Sequence, residues 1–393
     1  MMVAATVVSL ASVALAYQVT LPQIWSGFQL VGDGTGSSSA VSAVLWGAVL
    51  IAFTTVVNTA GIRLMARITS IGVVIELITA VLLVVVLAAR IVNPPSVLLD
   101  GAEGAPSGGA AGAFLIAAIA SAYVMYGFDT ASSLGEETID PRRTAPVAIL
   151  RAVVASFVLG GLILLVGILA APDLSDPALG TASGGLQLIV LQALGGRLGT
   201  VFLLCIVVAV TVCALAVHTA GIRLVFAMAR DNALPSSAVL ARVDPARRTP
   251  VAPALVIGVL AVLILLLGIG TPEIFTAVTS TAVVLIYVAY LLVTVPMLVR
   301  RLRGQWPAVG EHGAGFSLGR LGLPVNLLAV LWGVGMAANL AWPRVEVYGD
   351  DGLLRYSALL GVGGVAAVGL AWFGLRGRRR LGVLPEHARN DET

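Results

Sequence analysis

Two carboxylates, Glu76 and Asp129, lie within long apolar stretches of the sequence. A charged carboxylate at the centre of a membrane helix costs about 2.5–3.5 kcal/mol on insertion scales. Such residues usually face a cavity or a polar partner, and burial favours their neutral, protonated form. The chemistry that they indicate is the uptake and release of a proton. The alternative for Glu76 is a neutral side chain held by a hydrogen bond between helices.

The residues just before Asp129 are poorly suited to a continuous helix. The stretch SAYVMYGFDTASS combines two tyrosines, Gly127, Phe128 and several small hydroxyl residues. Glycine lowers helix propensity, and serine and threonine can satisfy freed backbone groups. We therefore predict a helix break near residues 123–127, of the kind that transporters use to build substrate sites. If the helix were continuous, Asp129 would lie near the cytoplasmic surface and could simply pair with an arginine.

The composition places these residues in a membrane. Hydrophobic residues make up 59% of the 393 residues and charged residues only 11%, which predicts an all-α polytopic membrane protein. We treat residues 1–375 as one transmembrane domain and residues 376–393 as a cytoplasmic tail. About ten stretches are long enough to span a bilayer: 1–26, 41–57, 68–92, 111–134, 148–171, 198–220, 251–270, 272–299, 321–342 and 353–375.

The arginines predict the orientation of these spans. All 23 basic residues are arginines. With the N-terminus in the cytoplasm, 19 of the 23 arginines fall on the inner side and only Arg90, Arg197, Arg344 and Arg355 fall outside. Because cytoplasmic loops of membrane proteins are enriched in basic residues, this distribution predicts that both termini are cytoplasmic.

Few residues could support catalysis or bind a metal. Cys205 and Cys213 lie eight residues apart in one apolar run, so we interpret them as buried helix residues and not as a disulfide or a metal pair. The sequence contains no HExxH, CxxC, P-loop or GxSxG motif. We therefore expect no enzyme activity, no cofactor, no metal and no nucleic-acid partner.

The stretch after the sixth span alternates arginines with apolar residues. AGIRLVFAMARDNALPSSAVLARV predicts an amphipathic helix that lies at the inner membrane surface and ends in a turn at Asn232–Pro235.

Three stretches together resemble the amino acid–polyamine–organocation (APC) superfamily of permeases, and its amino acid/choline branch most closely. GFDTASSLGEETIDPRRTAPVAI is similar to the sixth-helix signature of that superfamily. AGIRLVFAMARDNALP with RTPVAPAL resembles its loop between helices eight and nine, and NTAGIRLMARITSIGVVIEL resembles the start of its helix five.

The resemblance implies a LeuT-like fold of twelve helices, in which helices one to five and six to ten form inverted repeats and helices one and six are broken at the substrate site. The ten spans then correspond to helices three to twelve. On this scheme, Tyr123 lies at an aromatic gate, the unwound segment contains Tyr126, Gly127 and Phe128, and Asp129 lies beside the cytoplasmic gate.

The resemblance also implies roles for two further sets of residues. Glu76 falls near a helix-five position where some proton-coupled members carry a basic residue, which suggests proton-linked transport through Glu76 and Asp129. Thr279, Ser280 and Thr281 in helix ten could line the cavity, or they could bond to their own backbone carbonyls.

The chain departs from the family pattern at its N-terminus, because it lacks the first two helices. We expect a truncated reading frame, with a degenerate copy as the alternative. A LeuT-like fold without helix one would leave a groove beside helix six and Asp129.

These observations predict secondary active transport of amino acids or related amines by alternating access in the plasma membrane. The partners are then an amino acid or amine, membrane lipid and a proton; the substrate and the oligomeric state stay open. One alternative is a ten-helix transporter of another fold, built from two five-helix repeats. The other is a truncated membrane fragment or subunit that transports nothing by itself.

Overall fold

The computed structural model describes residues 1–31, 36–98, 109–180, 184–269, 274–306, 316–348 and 352–378. The regular structure of these residues is entirely helical. Fourteen α-helices follow one another along the described chain: α1 Met2–Ile24, α2 Gly36–Ala60, α3 Ile62–Ala88, α4 Gly109–Val124, α5 Pro141–Ala170, α6 Gly185–Leu194, α7 Gly196–Arg230, α8 Ser237–Leu240, α9 Val251–Leu267, α10 Ile274–Leu302, α11 Gly322–Ala341, α12 Val345–Tyr348, α13 Gly352–Arg355 and α14 Ser357–Trp372.

A helix lies over each of the ten apolar stretches. Nine helical segments of the described chain are long and apolar enough to cross a bilayer, and α9, with 17 residues, is slightly shorter. Helices satisfy all backbone hydrogen bonds internally, which lipid requires of any spanning segment. The all-helical polytopic class is therefore confirmed. Residues 379–393, most of the predicted cytoplasmic tail, lie outside the described residues.

Helix α1 lies at the centre of the packing. It contacts α2, α7, α9 and α10. Its buried residues Leu10 and Ala14 form one hydrophobic cluster with Leu50 of α2 and Ile257 of α9. A Cβ atom added at Gly221 of α7 would lie 2.8 Å from Thr6 Cγ2. Because small residues let helices approach closely in lipid, Gly221 allows α7 to pack directly on α1.

A buried histidine joins α2, α7 and α9. His218 is fully buried, with 0% of its surface exposed. Its Nδ1 atom lies 2.9 Å from Thr54 Oγ1, and its Nε2 atom lies 3.1 Å from the Ala254 carbonyl oxygen. On α7, Thr219 Oγ1 donates to Asn58 Oδ1 of α2 at 2.8 Å. These bonds satisfy polar groups that would otherwise be buried without partners.

The predicted break in the fourth span is confirmed. Helix α4 ends at Val124, Gly127 adopts a left-handed conformation with φ +86°, and a 3₁₀ segment runs from Phe128 to Glu137. The stretch 111–134 is therefore one helix followed by a second, tighter segment, and Asp129 belongs to the second.

The structure corrects two predictions about α7. The arginine-rich stretch after the sixth span is not a separate interfacial helix, because α7 continues without interruption to Arg230. Its 35 residues correspond to a length of about 50 Å, well beyond the hydrocarbon core. The sequence offers good helix formers up to Arg230, and the helix ends only before Asn232, whose φ is +55°. In addition, Cys213 is exposed on α7 and Cys205 is partly exposed, so neither is fully buried.

Candidate functional site

Gly127 forms the turn at which the broken helix changes direction. Its φ of +86° lies in the left-handed region, which glycine adopts without the steric penalty of a Cβ atom. The helix restarts at once, because Thr130 donates to the Gly127 carbonyl oxygen from its backbone N–H at 3.1 Å and from its hydroxyl at 2.8 Å. The break is therefore a short, defined turn between two helical segments.

Tyr290 of α10 holds this turn from the side. Its hydroxyl donates a hydrogen bond to Asp129 Oδ1 at 2.5 Å and accepts one from the Gly127 backbone N–H at 3.3 Å. The Tyr290 ring also lies 5.1 Å from the Phe128 ring, centroid to centroid. One side chain of α10 thus contacts three consecutive residues at the start of the 3₁₀ segment.

A cavity of about 450 Å³ lies beside the turn, within the size range of small-ligand sites. Its walls come from α1, the broken segment, α7 and α10. The lining residues that carry polar or charged groups near the turn include Ser9, Gly127, Asp129, Thr130, Arg223 and Arg230.

The cavity wall contains both signs of charge. Asp129 is one lining residue, and Arg223 and Arg230, seven residues apart on the same face of α7, are two others. The Arg230 guanidinium also lies 6.0 Å from the centroid of the Phe226 ring. A site with both signs of charge can hold a ligand that itself carries both.

Three of the five residues predicted for the substrate site line this cavity, namely Tyr126, Gly127 and Asp129. Phe128 is not among the lining residues; it is 41% exposed and packs on Tyr290. Tyr123 also does not line the cavity. Its ring packs edge-on against Tyr126 at 5.4 Å, and its hydroxyl lies 3.0 Å from Ser12 Oγ of α1.

Glu76 lies apart from Asp129. It is exposed on α3 and is not one of the residues that line the cavity. The structure therefore does not bring the two carboxylates into one site, and their joint role in proton coupling stays a prediction.

The three hydroxyl residues of α10 point in different directions. Thr279 Oγ1 lies 2.8 Å from Ser12 Oγ, so it faces α1. Ser280 is buried, with 3% of its surface exposed, and lies beside Tyr348. Thr281 Oγ1 donates to its own helix at the Ala277 carbonyl oxygen, at 2.7 Å, as the alternative interpretation expected. Thr279 is the one of the three that contacts the neighbourhood of the break.

A comparison with protein families identifies the chain. The family model described as "Amino acid permease" matches residues 1–363. The chain belongs to the amino acid permease family.

Individual relatives agree with this membership. The chain is 27% identical to Amino-acid permease 2 of Neurospora crassa over 59% of this chain and 41% of the relative. It is 26% identical to the Choline transporter of Saccharomyces cerevisiae over 70% of this chain and 47% of the relative. It is 26% identical to Amino-acid permease BAT1 of Arabidopsis thaliana over 66% of this chain and 50% of the relative. The chain spans about half the length of these curated relatives.

Several residues at or beside this candidate site were not predicted from the sequence. Tyr290 contacts Asp129 across 161 positions of sequence, and no local pattern marks either as the partner of the other. Ser12 lies in an apolar stretch where a serine normally indicates only close packing. Arg223 and Arg230 did carry a signal, because a spacing of seven places two residues on the same helix face. That signal indicates one shared face but not what the face contacts.

Proposed function

We propose that this chain carries out secondary active transport of amino acids or related amines by alternating access, linked to protons. The observation that carries the proposal is the cavity beside the broken helix, whose wall combines Asp129 with Arg223 and Arg230. Membership of the permease family supports transport as the general activity. The same family membership argues against a ten-helix transporter of another fold.

The charges of the wall favour a zwitterion as substrate. A guanidinium group matches a carboxylate in geometry and charge, whereas a carboxylate matches an ammonium group. In an amino acid, the two groups are separated by a single carbon atom. We assign the substrate carboxylate to the arginine side of the cavity and the substrate ammonium to the side of Asp129 and Tyr126.

Choline is the second candidate, and it makes different demands on the site. It has no carboxylate, so the arginines would not help to bind it. Quaternary ammonium groups bind to the faces of aromatic rings, and among the described residues Tyr126 and Phe226 provide the aromatic rings of the cavity wall. The relative named as a choline transporter supports including choline in the test.

Asp129 and Glu76 are the proposed proton carriers. A charged carboxylate at the centre of a membrane helix costs about 2.5–3.5 kcal/mol, and binding a proton removes that charge. Asp129 lies in the cavity wall, so substrate and proton can act on the same group. Glu76 would act from α3, without touching the substrate.

The proposed location is the plasma membrane, with lipid as partner and both termini in the cytoplasm. The arginine distribution supports this orientation, since 19 of 23 arginines fall on the inner side of the predicted spans.

The test is uptake by the full chain reconstituted in liposomes under an imposed proton gradient. Labelled amino acids and labelled choline are compared for the unmodified protein, Asp129→Asn, Glu76→Gln and Arg223→Gln. We expect Asp129→Asn and Glu76→Gln to abolish the response to the gradient, and Arg223→Gln to weaken amino acid uptake more than choline uptake.

The control is Asp173→Asn, because Asp173 lies in an exposed loop and bonds only to Ser175 among the contacts described. It should transport like the unmodified protein. No uptake of any tested compound by the unmodified protein would refute transport by this chain. Full gradient-driven uptake by Asp129→Asn would refute the assignment of the site.

A further inference from the structure

Three hydroxyl groups from three different helices meet at the end of α4, just before the break. Ser12 Oγ of α1 lies 3.0 Å from the Tyr123 hydroxyl of α4 and 2.8 Å from Thr279 Oγ1 of α10. Ser12 is almost fully buried, with 2% of its surface exposed. We call Ser12, Tyr123 and Thr279 the hydroxyl cluster.

Ser12 is the central member of the hydroxyl cluster. A hydroxyl group can donate one hydrogen bond and accept two, so Ser12 can bond to both partners at the same time. The cluster can therefore form in either direction, from Tyr123 through Ser12 to Thr279 or the reverse. Without the Ser12 hydroxyl, the partly buried Tyr123 hydroxyl loses the bond that ties it to α1 and keeps only its interaction with the neighbouring Tyr126, which is less favourable for a polar group.

The hydroxyl cluster lies immediately before the break in the helix. Tyr123 is the second-last residue of α4, which ends at Val124. The cluster thus fixes the last turn of α4 before the break, while Tyr290 fixes Gly127 and Asp129 after it. Thr279 and Tyr290 both belong to α10 and lie about 16 Å apart along its axis. Helix α10 therefore holds both halves of the broken helix.

We infer that Ser12 is a positioning residue for the broken helix. It does not line the cavity; it acts through Tyr123, whose ring packs against the cavity residue Tyr126. Through this contact, Ser12 sets how firmly the end of α4 and the two tyrosines are held against α1 and α10. The inference rests on the proposed transport function, because its consequence is the ease with which the broken helix moves during the transport cycle.

Cys213 provides a reporter for this movement. The Cys213 residue is exposed on α7, the helix that packs against α1 and against the segment after the break. The rate at which N-ethylmaleimide alkylates Cys213 should therefore respond to how firmly the broken helix is held. Replacing Cys205 by alanine leaves Cys213 as the single thiol, since the chain has two cysteines.

The experiment compares Ser12→Ala, Tyr123→Phe and Thr279→Val in the Cys205→Ala full chain reconstituted in liposomes. Each change removes one hydroxyl. We expect Tyr123→Phe and Thr279→Val to raise the alkylation rate of Cys213 by about two- to tenfold, the range that corresponds to one neutral hydrogen bond, and Ser12→Ala, which removes two bonds, to raise it at least as much. Thr279→Ser, unlike Thr279→Val, keeps a hydroxyl at this position, so its Cys213 should be alkylated at the rate of the parent. Thr281→Val is the matched control, because the Thr281 hydroxyl bonds only to its own helix in the contacts described, and it should leave the rate unchanged.

A double variant distinguishes a positioning role of Ser12 from a general loosening of the helix packing. Ser12 and Tyr123 share one hydrogen bond, so the double variant Ser12→Ala/Tyr123→Phe should alkylate no faster than the faster single variant. Rates that multiply in the double variant, or a rise with Thr281→Val equal to that with Thr279→Val, would overturn the inference. Tyr123→Phe and Thr279→Val are nearly isosteric, so they give an answer even if Ser12→Ala does not fold.

Uptake by the same variants distinguishes this inference from the proposed function. We expect kcat to change several-fold while KM changes little, because Ser12 does not contact the substrate. If the parent chain takes up nothing but the alkylation pattern holds, the transport proposal fails and the positioning role of Ser12 stands. If the parent transports and the alkylation rates do not differ, the positioning role fails alone.

Discussion

Removing the Tyr290 hydroxyl tests whether α10 holds the broken helix. Tyr290→Phe deletes a hydrogen bond of 2.5 Å to Asp129 Oδ1 and one of 3.3 Å from the Gly127 N–H, while the ring contact with Phe128 stays. A hydrogen bond to a charged group contributes about 1.5–3 kcal/mol, and a long neutral one contributes about 0.5–1 kcal/mol. The free energy of unfolding should therefore fall by about 2–4 kcal/mol.

A double-mutant cycle with Asp129→Asn identifies which bond is responsible. In that background the acceptor is a neutral amide oxygen, whose bond contributes only about 0.5–1.5 kcal/mol. Tyr290→Phe should therefore cost about 1–2 kcal/mol less in Asp129→Asn than in the unmodified chain. The assay is reversible unfolding in detergent, followed by tryptophan fluorescence.

The control is Tyr356→Phe, because Tyr356 is 48% exposed and should tolerate the change within about 0.5 kcal/mol. If Tyr290→Phe and Tyr356→Phe lowered the free energy of unfolding equally, the conclusion that Tyr290 stabilises the break would be refuted. An equal cost of Tyr290→Phe in both backgrounds would show that Asp129 is not its partner.

Three other changes give separate outcomes. His218→Ala should lower the free energy of unfolding by about 2–4 kcal/mol, because it leaves a void and removes the bonds to Thr54 and Ala254; His218→Gln, which can keep one bond, should recover part of the loss in the same unfolding assay. Gly127→Ala should cost only about 1–2 kcal/mol, from its left-handed φ alone, since nothing lies within 4 Å of the added Cβ; a much larger loss would mean that the turn is sterically closed. The backbone N–H groups of Arg247 and Ala246 hold the pKa of Asp244 below its usual value, so this carboxylate stabilises its loop above about pH 4 and the stabilisation is lost as the pH falls through the lowered pKa. Hydrogen exchange of the loop amides, corrected for intrinsic rates, should therefore accelerate at low pH in the unmodified chain and not in Asp244→Asn.

The helical segments could be predicted from the sequence because lipid leaves the backbone few choices. A segment that crosses the apolar core must satisfy its hydrogen bonds internally, so apolar length alone predicts a helix. The break near Gly127 was also predictable, since glycine and small hydroxyl residues next to Asp129 weaken the helix locally. The extent of α7 was not, because hydropathy falls at the membrane surface although the helix continues to Arg230.

The partners of the site residues could not be predicted in the same way. Most of these helices are apolar on all sides, so periodicity gives no indication of which side of α10 faces the break. Tyr290 and Ser12 each contact α4 or its continuation across more than 100 positions, 161 for Tyr290–Asp129 and 111 for Ser12–Tyr123. The depth of Glu76 in an apolar stretch marks it as a candidate but does not indicate its neighbours, and the residue is exposed on α3, outside the cavity lining.

The hydrogen bonds at the break also suggest how a substrate could move it. Breaking the bonds of Tyr290 to Asp129 and Gly127 without replacement would cost several kcal/mol in a medium with little water. A substrate ammonium group in the cavity can donate to Asp129 in place of Tyr290, so the bond is exchanged and not lost. A ligand shifts a conformational equilibrium only by its difference in affinity for the two states. On the proposed function, this exchange is the source of that difference, and Tyr290→Phe should then make opening less dependent on the substrate.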